Sequence, residues 1–118
     1  MAGNDLDIKK VDRPWGNFLQ FTHNLSSTVK IISVKGGEEL SLQSHEKRSE
    51  FWYVLSGSGQ MEIGGVKYEV VGGDKVNIMA GARHRLIAGP SGIKVLEIAT
   101  GDFEEDDEKR YEDKYGRA

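Results

Sequence analysis

The stretch GEELSLQSHEKRSEFWYVLSG, residues 37–57, indicates both the fold class and a candidate site. Gln43 and His45 are two residues apart, so on a strand their side chains point to the same face. Four residues, enough for a turn, separate His45 from Glu50, and the aromatic and β-branched run from Phe51 to Leu55 predicts a buried strand. One strand thus supplies an amide oxygen and an imidazole, and the next supplies a carboxylate. A first-row divalent metal ion accepts this mixture of ligands.

A second stretch, GDKVNIMAGARH at residues 73–84, adds one more candidate ligand. A short predicted strand runs into a Met-Ala-Gly turn, and His84 follows where the next strand begins. Gln43, His45, Glu50 and His84 would together leave one or two coordination positions open around a metal ion. Open positions are typical of a catalytic metal site and not of a closed structural one.

The rest of the chain predicts more short strands, which indicates an all-β sandwich or small barrel. At 118 residues, with fifteen glycines and two prolines, the chain is expected to form a single domain. Gly64-Gly65 between two alternating runs predicts a tight hairpin. Glycine-containing turns are expected at residues 57–59 and 89–92. Trp15 is expected to cover one end of the core.

Composition excludes several classes of function. The chain has no cysteine, so it has neither disulfides nor thiol chemistry. No apolar run is long enough to span a bilayer and no signal peptide is present, so we expect a cytoplasmic protein with no membrane partner. The chain has no basic stripe, and acidic residues concentrate in residues 102–118, which argues against binding nucleic acid.

Both stretches resemble the two signature motifs of the cupin superfamily. The first motif fits at Gly37, Gln43, His45, Glu50 and Gly57, and the second fits at Gly73, Gly81 and His84. Four features resemble type II mannose-6-phosphate isomerase, a cupin often fused behind a mannose-1-phosphate guanylyltransferase domain. They are the Gln-x-His form of the first motif, Arg13-Pro-Trp-Gly16, Arg48-Ser-Glu-Phe-Trp52 and Tyr111-Glu-Asp-Lys-Tyr-Gly-Arg117. The resemblance covers residues 13–117, without a nucleotidyltransferase part.

This resemblance implies an all-β fold, the cupin double-stranded β-helix or jelly-roll barrel. We expect residues 1–12 to be an N-terminal arm, 13–101 the barrel, and 102–118 a helical or irregular C-terminal tail. The chain departs from the family pattern where Glu46 and Lys47 follow His45, and at Phe51 and Met79. These departures leave the four metal ligands intact. The alternative to metal binding is a relic barrel whose polar interior holds water.

The resemblance also implies a metal-dependent sugar-phosphate isomerase that interconverts mannose 6-phosphate and fructose 6-phosphate through an enediol. The metal is expected to be Zn, Mn, Co, Ni or Mg. The candidate catalytic base is Glu97, in an otherwise apolar strand, with Glu50 second because metal ligation would lower its basicity. An inward Glu97 would have its pKa raised by desolvation, whereas an outward one would be solvated.

Phosphate requires cations, and Arg48, Arg85 and Lys30 are the candidates for substrate binding. Ordinary surface charge is the alternative for each of them. Arg48 stands between two predicted ligands and is the strongest candidate. By strand alternation Arg85 faces away from His84, which counts against it.

Two other functions remain open at this point. One is a non-catalytic sugar- or sugar-phosphate-binding cupin, and the other is an oxygenase whose Fe(II) would be held by two His and one carboxylate. The partners expected are a small-molecule sugar phosphate and a second copy of the chain in a homodimer. Tyr111 and Tyr115 would share a face if the tail were helical, which predicts that the tail docks on the barrel. The alternative is a solvated, frayed terminus.

Overall fold

The computed structural model describes residues 8–118, which contain nine strands and no helix. The described residues contain no helix that is long and apolar enough to cross a membrane. The strands are β1 (Lys9–Arg13), β2 (Gly16–Gln20), β3 (Thr28–Val34), β4 (Leu42–Ser44), β5 (Arg48–Ile63), β6 (Val66–Val71), β7 (Lys75–Ile78), β8 (His84–Gly101) and β9 (Lys109–Glu112). The all-β prediction is confirmed.

Two long antiparallel strands, β5 and β8, organise the fold. The first half of β5 pairs with the second half of β8, and the strand order there is β7-β5-β8-β3. The second half of β5 pairs with the first half of β8, and the strand order there is β6-β5-β8-β4-β9. Apolar side chains from both groups of strands form one core, for example Trp52 and Ile78 from the first and Met61 and Leu86 from the second. Two such layers around one core make a jelly roll.

The glycines expected to end strands instead bend two continuous strands. The turns predicted at residues 57–59 and 89–92 lie inside β5 and β8, and the β5 register shifts at these bends. Gly57 has a φ of +85°, and a Cβ there would lie 2.2 Å from the carbonyl oxygen of Gly92. Glycine therefore lets the two strands cross from one layer to the other while they stay paired.

The end of the predicted N-terminal arm belongs to a β-hairpin. Residues 1–7 of the predicted arm lie outside the described residues, but Lys9 already begins β1, which pairs with β2 in a separate two-stranded sheet. Trp15 lies in the turn of this hairpin and is 73% exposed. The expectation that Trp15 covers the core is therefore wrong within the single chain, because the hairpin stands apart from the main sheet.

The C-terminal tail, expected to be helical or irregular, contains a β-strand. Its strand β9 pairs with β4, and the Tyr111 hydroxyl contacts Ser44 Oγ at 3.0 Å. Tyr115 lies at a different place and donates a hydrogen bond to Glu38. The edge of β4 offers backbone partners that outweigh the weak helical preference of a short segment. The tail does pack against the barrel, as its aromatic residues predicted.

Candidate metal centre

Three of the predicted ligands converge inside the jelly roll. His45 follows β4, Glu50 lies in β5, and His84 begins β8. One ligand atom from each of the three residues lies within 4.8 Å of the others, and all three side chains are buried. His45 Nδ1 is 3.6 Å from Glu50 Oε2, and His84 Nε2 is 3.5 Å from Glu50 Oε1.

Gln43, the fourth predicted ligand, shares the face of this cluster. It pairs directly with His84 across β4 and β8, so the two side chains lie on the same side of the sheet. The Gln43 amide nitrogen donates to the hydroxyl of Ser41 at 3.1 Å and to its carbonyl at 3.3 Å. The amide oxygen is therefore the atom left to ligate a metal.

The orientation of His84 leaves two buried polar atoms without partners. His84 Nδ1 lies 3.0 Å from the carbonyl oxygen of Ala82, which can only accept, so the proton is on Nδ1. The bare Nε2 then faces Glu50. Neither this nitrogen nor Glu50 Oε1 has a hydrogen-bond partner. Burying unpaired polar atoms is costly, and a divalent cation between them would satisfy both. The residues present therefore fit a metal ion.

The Met-Ala-Gly turn of the second motif is hydrogen-bonded to the loop of the first motif, residues 45–50. Gly81, with a φ of +86°, donates its backbone N–H to the carbonyl of His45 at 2.7 Å. The neighbouring Ala80 N–H donates to Ser49 Oγ at 3.1 Å. These bonds hold the His45–Glu50 loop against the start of β8, which explains why ligands from distant stretches meet.

Glu50 is held in its charged form. Burial would raise its pKa, but its hydrogen-bonding and charged neighbours, Arg48 among them, lower the pKa to about 2. Arg48 Nε donates to Glu50 Oε2 at 3.0 Å. An ionised carboxylate is the form that ligates a cation, and a weak base is poorly suited to abstracting a proton from carbon.

Glu97 points inward, which resolves the alternative left open by the sequence. Its side chain is buried, and the Trp52 Nε1–H donates to Oε2 at 3.1 Å. Burial, reinforced by the charge of Glu50, raises the pKa of Glu97 to about 7. The Trp52 ring also meets His84 edge-on, with centroids 5.9 Å apart. Trp52 therefore links the proton-carrying group to the ligand cluster.

A cavity of about 210 Å³ opens beside these groups. Gln43, Glu50 and Glu97 line it. Four cationic side chains also line it: Lys30, Arg48, Arg110 and Arg117. Neither Arg110 nor Arg117 was predicted to bind phosphate, because the tail reaches the cavity through long-range contacts such as the pairing of β9 with β4.

The tail already contacts two of the predicted phosphate ligands. Lys30 Nζ is 2.8 Å from Glu105 Oε1, and Arg48 donates to the Glu104 carbonyl at 3.1 Å. Both cations also lie over the ring of Phe103, at 4.5 and 4.2 Å. Both remain at the wall of the cavity, so a phosphate would have to share or displace these contacts.

Arg85 is not brought to the cavity. Its guanidinium contacts Glu39 at 3.0 Å, Glu62 at 3.1 Å and Glu112 at 2.8 Å. Three carboxylates leave this arginine little capacity for a phosphate. The structure therefore gives no support to the predicted role of Arg85 in substrate binding, and it favours a role in fastening β9 to the jelly roll.

The chain is similar in sequence to known proteins. Residues 4–113 match the family model described as mannose-6-phosphate isomerase C-terminal. The mannose-1-phosphate guanylyltransferase ManC of Salmonella typhimurium is 37% identical over 111 residues, which cover 92% of this chain and 23% of ManC. The chain thus spans about a quarter of the length of the curated relatives it matches.

Two solved structures are also similar. The putative sugar phosphate isomerase from Acidithiobacillus ferrooxidans is 26% identical with a TM-score of 0.57, covering 62% of this chain and 49% of that one. A Klebsiella pneumoniae protein with a double-stranded β-helix domain is 16% identical with a TM-score of 0.66, covering 96% and 90% of the two chains. The second likeness shows the shared fold alone, which is the double-stranded β-helix expected from the sequence.

Proposed function

The chain belongs to the mannose-6-phosphate isomerase C-terminal family, and we propose that it is a metal-dependent sugar-phosphate isomerase interconverting mannose 6-phosphate and fructose 6-phosphate. One observation carries the proposal: a buried His, Glu, His cluster with unpartnered atoms lies beside Glu97, a buried carboxyl whose pKa is raised to about 7. A Lewis-acid site next to a carboxyl that titrates near neutral pH suits proton transfer next to a carbonyl.

The metal would be held by His45, Glu50 and His84, with Gln43 as the fourth ligand. When bound, a divalent ion supplies polarisation of the sugar carbonyl and stabilisation of developing negative charge on oxygen. Arg48 keeps Glu50 oriented and charged through its 3.0 Å contact. These residues would therefore hold and orient the metal ion that polarises the sugar carbonyl.

Glu97 would carry the proton between the two carbons. Its carboxylate takes the proton from C2 of the open-chain aldose, which leaves an enediolate with its negative charge on O1. Transfer of the O2 proton to O1 then moves the charge to O2. The Glu97 carboxyl then returns its proton to C1, and the ketose forms. A pKa of about 7 suits a group that must both accept and release a proton at neutral pH. The hydrogen bond from Trp52 orients the carboxyl for both steps.

The phosphate of the substrate would bind among the cations of the cavity wall. Lys30 and Arg48 belong to the jelly roll, and Arg110 and Arg117 to the tail. Arg48 is buried on the floor of this group, whereas the others are more exposed. A phosphate reaching Arg48 would therefore be the most strongly desolvated and the most tightly held.

A second candidate function is binding of a sugar phosphate without turnover. The cations that line the cavity are the observation behind it, because they can hold a phosphate whether or not Glu97 transfers a proton. The discriminating experiment is conversion of mannose 6-phosphate by protein reloaded with each candidate metal. Isomerase function predicts fructose 6-phosphate in the wild type and none with Glu97→Gln at equal metal content. Substrate binding with no conversion under any metal would refute the isomerase proposal and support the second candidate.

We also propose that two copies form a homodimer through β3. In the described residues β3 pairs only with β8, so its other edge has backbone groups available for a second strand. Val29 and Ile31 on its outer face are 56% and 60% exposed. An unpaired edge beside exposed apolar side chains is a typical strand-pairing surface, and a second copy offers the matching edge.

A further inference from the structure

The C-terminal tail contacts one of the candidate metal ligands directly through a carboxylate. Glu108 Oε1 lies 3.4 Å from Nε2 of His45, while the other ring nitrogen, Nδ1, faces Glu50 at 3.6 Å. Glu108 stands 63 residues after His45 in the chain, so nothing local in the sequence connects them. We propose that Glu108 is a positioning residue for the ligand His45, and that docking of the tail and metal binding are therefore coupled. This inference rests on the metal site of the proposed function and not on turnover.

The tautomer of His45 follows from which atoms around its ring can donate or accept a hydrogen bond. An ionised carboxylate only accepts hydrogen bonds, so the His45 nitrogen facing Glu108 carries the proton. The opposite nitrogen then presents its lone pair toward Glu50 and the centre of the cluster. His84 is arranged in the same way, with the Ala82 carbonyl on one nitrogen and Glu50 on the other. Both histidines are thus fixed in the tautomer that a metal requires, one by a backbone group and one by the tail.

Glu108 is itself held in place by separate contacts. Its second oxygen, Oε2, is 2.8 Å from Arg110 Nε, so the oxygen facing His45 is not shared with that ion pair. The next residue, Lys109, pairs with Ser44 in the β4–β9 ladder, directly before His45 in the chain. The carboxylate is therefore fixed by an ion pair and by a backbone register, and only 18% of its side chain is exposed.

The tail also holds the loop that joins two of the ligands. The carboxylate of Asp107 accepts hydrogen bonds from the backbone N–H groups of Glu46 at 3.1 Å and Lys47 at 2.9 Å. The Glu104 carbonyl accepts from Arg48. Successive tail residues thus contact the loop that begins at His45 and ends at Glu50. Loosening the tail would loosen the loop, and ordering the ligands around a metal would order the tail.

The test is metal affinity in matched tail variants. Zn²⁺ affinity, measured by competition with a chromogenic chelator, is expected to fall about 10- to 100-fold in Glu108→Ala. Glu108→Gln keeps an acceptor oxygen and should recover part of that loss. The control is Glu105→Ala, which removes a tail carboxylate that contacts Lys30 and not His45, and it should bind within about twofold of the wild type. Wild-type affinity in Glu108→Ala would overturn the proposal.

A second measurement separates positioning from general damage to the fold. The visible spectrum of bound Co²⁺ reports ligand geometry, and we expect it to change in Glu108→Ala and not in Glu105→Ala. Protease cleavage within residues 102–118 should slow when Zn²⁺ is added to the wild type, and slow less in Glu108→Ala. Cleavage unaffected by Zn²⁺ in the wild type would refute the coupling. Metal binding without isomerase activity would end the proposed function and leave this inference standing, whereas a wild type that binds no divalent ion would end both.

Discussion

Replacing Glu97 by Gln is expected to remove a pH dependence from the stability of the metal-free protein. The pKa of Glu97 rises from an ordinary value of 4.5 to about 7 in the fold. Between these two values the native state holds the proton and the unfolded state has lost it. The free energy of unfolding therefore falls as pH rises through this window, by about 1.4 kcal/mol for each pH unit. The full rise in pKa corresponds to a loss of about 3 kcal/mol.

Gln is the right replacement because it is nearly isosteric and keeps an oxygen that accepts the hydrogen bond from Trp52. Gln is neutral at every pH, so the free energy of unfolding of the Glu97→Gln protein should change little between pH 5 and 7. Glu50 does not interfere, because its pKa is lowered to about 2. Its contribution is present above pH 4.5 and is lost only as pH falls toward 2, outside this window.

The assay is urea unfolding of both proteins without metal, at half-unit steps from pH 5 to 8, with Glu69→Gln on the exposed face of β6 as the control. We expect the wild type and the control to lose about 2 to 3 kcal/mol across the range, and Glu97→Gln to become the more stable protein above pH 7. Parallel pH profiles for the wild type and Glu97→Gln would refute the buried, protonated state of Glu97.

Three further predictions concern the substrate, the tail and the assembly. Arg48→Ala should weaken binding of mannose 6-phosphate by about 2 to 4 kcal/mol in calorimetry, and unchanged affinity would argue against a role in holding phosphate. A chain ending at Gly101 should melt at a lower temperature and bind Zn²⁺ more weakly, because the tail holds the ligand loop; a truncated protein equal to the full chain in both would make the tail a bystander. Ile31→Lys should convert a dimer to a monomer in light scattering, whereas Val66→Lys, at a site 58% exposed on β6, should not; a monomeric wild type would contradict the dimer proposal.

Local patterns predicted the elements that depend on local information. Gly64-Gly65 forms the predicted hairpin turn between β5 and β6, because two glycines between alternating runs are a local signal. The candidate ligands were also found locally, since Gln43, His45 and Glu50 lie within one short stretch. His84 was found from its spacing after a glycine turn, and the structure brings it to the other three.

Elements that depend on distant pairing were not predictable in this way. A glycine such as Gly57 looks the same in sequence whether it ends a strand or bends a continuous one, and only its approach to Gly92 decides. The tail has weak local preference, so its pairing with β4 determines its conformation. Glu108 and Arg110 were missed for the same reason, because Glu108 contacts His45, 63 positions earlier, and Arg110 pairs with Gln43 in the β4–β9 ladder.

The metal content of the purified protein tests the proposed metal centre. Elemental analysis after reloading and removal of excess metal should give about one divalent ion per chain in the wild type. His45→Ala, which removes one of the three converging ligands, should retain little metal, while His23→Ala, which changes an exposed histidine outside the cluster, should match the wild type. Equal metal content in His45→Ala and the wild type, or no metal in either, would contradict the metal centre on which the proposed function rests.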